Sequence, residues 1–192
     1  MDDILSKIPV DFIDTYYGMQ NSKDCSAWEN EEYDSSELFP EGLLFSTVGG
    51  LKVRSKSEAI IAGLLEINNV PFRYEAALNL GDKTYYPDFT ILRPGDKKIL
   101  YWEHFGMADD EGYSTSMDRK MAIYRKHGIV PWDQLITTYE IERGSMDVRD
   151  IQNIINLFLM KTSIDNNMKT KSWPARKINV VGHVAEWRLL GS

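Results

Sequence analysis

The 192-residue chain holds one cysteine, Cys25, so no internal disulfide framework can form, and the composition fits a reducing compartment. Cys25 has no partner at metal-ligand spacing, which removes the thiolate zinc sites from consideration. No stretch approaches the apolar length of a membrane span, and the opening MDDILSKIPVDF has no run suited to a signal peptide. A cytoplasmic protein with no membrane partner is therefore expected. Positive charge is in short supply: 22 Lys and Arg stand against 29 Asp and Glu, a formal net charge of -7. That balance argues against nucleic-acid binding by the whole surface and leaves room only for a local basic groove. Internal repeats and low-complexity tracts are also missing.

What remains is an ordinary globular composition, 43% hydrophobic and 27% charged, at a length that suits one well-packed domain with some periphery. Residues 1–45 are weakly patterned and acidic. They read as an arm that packs through Phe39, Leu43, Leu44 and Phe45, with Tyr16, Tyr17, Trp28 and Tyr33 as packing groups. Residues 46–160 carry the periodic elements. A helix over Lys56–Asn68 presents Ile60, Ile61, Leu64, Leu65 and Ile67, and Pro71 follows its end. Phe72–Leu80 reads as a strand in which Glu75 is a solvated charge. Tyr85–Leu92 and Ile99–Phe105 read as two further strands joined by a Pro94-Gly95-Asp96 turn. A second helix over Ser114–His127 closes on Gly128, a strand covers Gln134–Glu140, and an amphipathic helix covers Asp147–Leu159. Residues 161–192 read as a C-terminal extension.

Chemistry concentrates between Thr84 and Met107, TYYPDFTILRPGDKKILYWEHFGM. Two carboxylates, Asp88 and Glu103, interrupt apolar, aromatic strands, where acids are depleted and costly to bury. Side by side they would raise each other's pKa unless a divalent ion lay between them. A solvent-facing placement of both acids is the competing explanation. Ser55-Lys56-Ser57-Glu58 is a capping box, and on spacing alone a cap is the favoured use of Glu58. The acidic run Asp109, Asp110 and Glu111 reads as a solvated loop entering a helix. Arg119, Lys120, Arg125 and Lys126 form the densest basic cluster. Lys120 alone among them falls on the apolar stripe, three residues after Met117 and four before Tyr124.

YPDFTI, YWEHFGM, the helix carrying Lys120 and Tyr124, and HGI, together spanning Arg54–Glu140, resemble the PD-(D/E)XK nuclease superfamily. The likeness is to a bacterial subgroup whose domains occur alone or attached to helicases. The resemblance implies an α/β restriction-endonuclease-like core in the order α-β-β-β-α-β, a mixed β-sheet flanked by helices. It implies a metal-dependent nuclease, foremost a DNA endonuclease, with a homodimer or a helicase as conceivable partners. Asp88, Glu103 and the His104 main-chain carbonyl would hold Mg²⁺, for which Mn²⁺ can substitute. Glu58 would reach the ion directly or through water. The superfamily lysine two residues after the second acid is replaced here by Phe105, and Lys120 is the candidate for its role. That departure leaves a second expectation open, an inactive nuclease fold that binds DNA or protein; RNA as substrate also remains open.

Overall fold

The computed structural model of the chain describes residues 25–106, 111–140 and 146–160. It is a mixed α/β arrangement of sheets flanked by helices. A short hairpin, β1 (Phe45–Ser46) and β2 (Lys52–Val53), leads into helix α1 (Lys56–Ile67). The strands β3 (Phe72–Tyr74), β4 (Leu78–Leu80), β5 (Lys83–Tyr85), β6 (Phe89–Leu92) and β7 (Ile99–Phe105) follow in order. Helix α2 (Glu111–Lys126) precedes β8 (Leu135–Tyr139). Helix α3 (Val148–Ile154) then runs on into a π-helical stretch over Ile155–Leu159. Among the described residues no helix is long and apolar enough to cross a membrane.

The main sheet has the order β3-β6-β7-β8. Antiparallel ladders join β3 to β6 and β6 to β7, whereas β7 and β8 pair in parallel. Parallel neighbours need a long crossover, and α2 supplies it. Strand alternation then sorts the side chains of β7. Leu100 and Trp102 join Phe89, Ile91 and Ile136 in a core with Ile61, Ala62 and Leu65 of α1 and Ile151, Ile155 and Leu159 beyond β8. Tyr101 lies on the other face with Tyr124, Met121, Ile129 and Leu135. The central strand is thus covered on both sides, which is why ILYWEHF reads as an almost unbroken apolar run.

Two expected strands are each divided, for different reasons. Phe72–Leu80 breaks at Glu75, which takes φ 45, a left-handed value that ends the ladder. Leu78–Leu80 then pairs with Lys83–Tyr85 in a separate two-stranded sheet. Glu75 is not a solvated charge: Arg54 forks onto it at 2.6 and 2.9 Å. The run Tyr85–Leu92 is interrupted by Pro87, which has no N–H to give a ladder, so β6 begins only at Phe89.

On α1, Ile61, Ala62 and Leu65 are buried, but Ile67 is exposed and Ile60 borders on it, so the apolar face is narrower than the sequence suggested. In the arm, Leu43 and Phe45 pack on the core, while Phe39 and Leu44 face outward. Phe39 adopts φ 52 just before the 3-10 turn Pro40–Gly42, which turns its ring away from the core. Residues 33–36 dock beside the break at Glu75, with Ser36 N–H donating to Glu75 O at 3.1 Å and Ala77 N–H to Asp34 O at 2.8 Å. Trp28 and Tyr33 pack against the Arg73 guanidinium, 4.2 and 5.1 Å from their ring centroids. Cys25 is buried and accepts from Lys97 Nζ at 2.8 Å. Tyr16, Tyr17, Asp109, Asp110 and the extension 161–192 lie outside the described residues.

Ile61, fully buried between α1 and the sheet, tests this packing. Ile61→Ala is expected to lower the unfolding free energy by about 2–5 kcal/mol, read from a denaturant melt.

Candidate active site

The ladder between β6 and β7 begins with Phe89 opposite Trp102. Carried one residue further, that register sets Asp88 opposite Glu103, on the face covered by α2. Asp88 does not continue the strand. Its Oδ2 accepts the main-chain N–H of His104 at 2.6 Å, while its own carbonyl accepts from Glu75 N–H at 3.1 Å. Asp88 is therefore held from both sides at the mouth of the hairpin.

Glu103 is 1% exposed, in the middle of the sheet. Two groups of α2 satisfy it: Tyr124 O–H donates to Oε1 at 2.5 Å and Lys120 Nζ donates to Oε2 at 2.6 Å. Lys120 Nζ also lies 3.4 Å from the Tyr86 carbonyl, so it spans β7 and the segment just before Asp88. Arg119, Arg125 and Lys126 are exposed by contrast. Lys120 and Tyr124 stand one helical turn apart and so address a single carboxylate. Tyr124 is a site residue that apolar patterning hid, because a tyrosine on a buried stripe reads as core. Its signals were its spacing to Lys120 and its place beside Lys120 in the helix that forms part of the resemblance.

Glu58 occupies the first turn of α1 and fulfils the capping motif with one change. Its N–H donates to Ser55 Oγ at 3.1 Å, and the Ser55 hydroxyl donates to Oε1 at 2.8 Å. The returning bond goes to the Arg54 N–H (3.1 Å at Oε2), not to that of Ser55. Tyr74 O–H donates to the same oxygen at 2.5 Å, an interaction nothing in the sequence announced. The cap and the approach to the sheet coexist, since Glu58's charge is still felt at Asp88 and at His104.

Electrostatics tie the three acids together. Withdrawal from solvent raises Asp88 well above the usual aspartate range; the charge of Glu103 adds to this, Lys120 opposes it, and Glu58 raises it further. Burial likewise raises Glu103, against the pull of the Lys120 ammonium and the hydrogen bonds from Lys120 and Tyr124. Asp88 and Glu103 thus both feel the Lys120 ammonium, while Glu58 adds a further negative charge at Asp88. The donor set is all oxygen, carboxylates plus the His104 carbonyl, and this suits a hard divalent cation. Among the described residues, however, no three acid, histidine or cysteine side chains close into a ready cage. Phe105, where the resemblance would expect a lysine, is buried and stacks on Tyr139 with centroids 5.4 Å apart.

The His104 ring lies on the opposite face from Glu103, as alternation requires. Burial lowers its pKa, which favours the neutral ring, although Glu140 pulls the other way. His127 is exposed.

No known protein family matches the chain, and no solved structure does. The chain is 33% identical over 101 residues to an uncharacterized protein of Methanocaldococcus jannaschii. That match covers 51% of this chain but only 8% of the much longer archaeal protein.

Because Asp88 is raised, its folded form holds a proton that the unfolded chain gives up near the ordinary value of 3.8. Its ionisation therefore costs stability that is intact below that pH and is lost as pH rises through the folded value. Asp88→Asn keeps an acceptor for the His104 N–H and removes the charge. With chelator present it is expected to melt above the wild type at pH 8, on the order of 2–4 °C for each kcal/mol of desolvation and repulsion relieved. The two melting temperatures should converge near pH 4; a gap unchanged across a calorimetric pH series contradicts the assignment.

Proposed function

We propose that the chain is a metal-dependent nuclease with a restriction-endonuclease-like core, hydrolysing phosphodiester bonds and cutting DNA internally. The observation that carries this reading is the meeting of Asp88, Glu103 and Lys120 on one face of the hairpin, with Lys120 Nζ 2.6 Å from Glu103. The element order α1, β3, β6, β7, α2, β8 supports it, with β4 and β5 as a hairpin inserted after β3.

Asp88, Glu103 and the His104 carbonyl are the groups that would hold Mg²⁺ or Mn²⁺, with Glu58 at the flank. Such an ion, when bound, neutralises phosphate charge and makes a water more acidic. Lys120 orients the attacking water or clamps a phosphate oxygen where negative charge develops. Its placement on α2 supplies the cation that Phe105 cannot. Tyr124 holds Glu103 in one rotamer, so that only Lys120 need move as substrate arrives. The excess of negative charge in the cluster makes the site dependent on a cation before a polyanion can approach.

A second reading, an inactive nuclease fold that binds DNA or a protein, is favoured by one specific feature. Both oxygens of Glu103 are already engaged by Lys120 and Tyr124. Supercoiled, linear and single-stranded DNA, and RNA, incubated with Mg²⁺ or Mn²⁺ separate the two. Cleavage that stops with chelator and with Asp88→Asn is expected, and Lys120→Met should slow it by about 10²–10³-fold. Full activity in purified Asp88→Asn rules out the nuclease site, while retention of DNA without cleavage by the wild type supports the binding module.

A further inference from the structure

This inference builds on the metal-dependent reading above. Behind Glu103, on the α1 face of the sheet, runs a buried chain of polar groups. Trp102 Nε1–H donates to Thr138 Oγ1 at 3.0 Å, and Thr138 Oγ1 lies 2.9 Å from His104 Nδ1. His104 Nε2 faces Glu140 Oε1 at 3.2 Å, and the Ser57 hydroxyl hydrogen-bonds the same oxygen. The side chains of His104 and Glu140 are 4% and 6% exposed. Donor chemistry gives the chain its direction. An indole N–H can only donate, so Thr138 accepts from Trp102, and a neutral His104 ring facing the accepting Glu140 carboxylate leaves Nδ1 to take the Thr138 hydroxyl proton. Nε2 then carries the ring proton and gives it to the Glu140 carboxylate.

Glu140 also donates its main-chain N–H to Phe105 O at 2.8 Å. It thereby joins the first turn of α1, the end of β7 and the end of β8. Two of its side-chain partners are telling: Ser57 directly precedes Glu58, and His104 directly follows Glu103. The main chain of His104 faces the site, since its N–H is the donor to Asp88 Oδ2. A carboxylate buried this deeply is costly, and apolar groups could close the same gap.

We propose that Glu140 is a positioning residue of the active site. Gripping the His104 ring from behind, it fixes the peptide that aligns Asp88 and presents the carbonyl. Gripping Ser57, it sets the distance between α1, with Glu58, and the strand bearing Glu103. Groups that orient metal ligands in this way are typically worth about 10–100-fold in metal affinity.

The test is Mn²⁺ titration of the full chain, followed by electron paramagnetic resonance of the free ion, with melting temperatures measured alongside. Glu66 provides the control. It lies on the same helix and accepts from Thr47 Oγ1 at 2.7 Å and Gly49 N–H at 3.1 Å, so its loss tests a carboxylate that only closes a turn. Glu140→Ala is expected to weaken Mn²⁺ binding by about 10–100-fold. Glu140→Gln keeps the accepting oxygen and should restore most of it, whereas Glu66→Ala should melt lower with unaltered Mn²⁺ affinity. Should Glu140→Ala not fold, Ser57→Ala breaks the tie to α1 alone and should weaken Mn²⁺ binding in the same direction. Wild-type Mn²⁺ affinity in Glu140→Ala, or in Ser57→Ala where that variant stands in, overturns the positioning role alone. A wild-type protein that takes up no Mn²⁺ overturns the metal-dependent reading, and this inference with it.

Discussion

Glu103 is an ionisable group in the middle of a strand with neighbours on both sides, and the surrounding structure is arranged around satisfying it. A buried carboxylate left unpaired would cost several kcal/mol, of the order of a domain's net stability. Lys120 and Tyr124 meet that demand from α2, each taking one oxygen. The parallel pairing of β7 with β8 forces a crossover, and the crossover helix is the element able to deliver both side chains. The ion pair and the topology therefore require each other.

Asp88 shows the complementary strategy. Pro87 stops the ladder, and the freed aspartate uses a side-chain oxygen to take the N–H of His104. The hairpin thus ends on a carboxylate and not on a backbone carbonyl, which brings a second negative charge beside the first. Burial, and after it the charge of Glu103, raises Asp88 above the ordinary aspartate range. Glu58 extends the same tension from α1, since its cap bonds to Ser55 and Arg54 leave its charge within reach of Asp88. The charges on the opposite face of β7 are treated differently. His104 lies between the Thr138 hydroxyl and the Glu140 carboxylate, which also takes a hydrogen bond from Ser57, and their polarity is absorbed locally.

Much of this was legible from local chemistry. The Pro-Gly-Asp turn, the apolar run of β7 and the acids set into an aromatic hairpin all follow from residue type and order. Lys120 was legible too, because a lysine on the stripe marked by Met117 and Tyr124 needs an anionic partner. The splitting of two strands was half visible: Pro87 stood in plain view, whereas nothing local required Glu75 to take a left-handed conformation. That turn depends on Arg54, twenty-one residues earlier, forking onto the Glu75 carboxylate. Glu140 read as the last residue of a strand, because Ser57 and His104, two groups that bond its side chain, are remote in sequence.

The sequence by itself determined the succession of the three helices and the main-sheet strands around them, and the faces of β7, since period, turn chemistry and strand alternation act over a few residues. Only the tertiary structure decided that Tyr124 and Tyr74 are hydrogen-bond donors to acids and that Glu58's cap falls on Arg54. It alone decided that His104 is gripped from behind by Glu140. Each of these is a contact across many residues of chain, where the geometry of two packed elements chooses the partner and the residue type merely permits it.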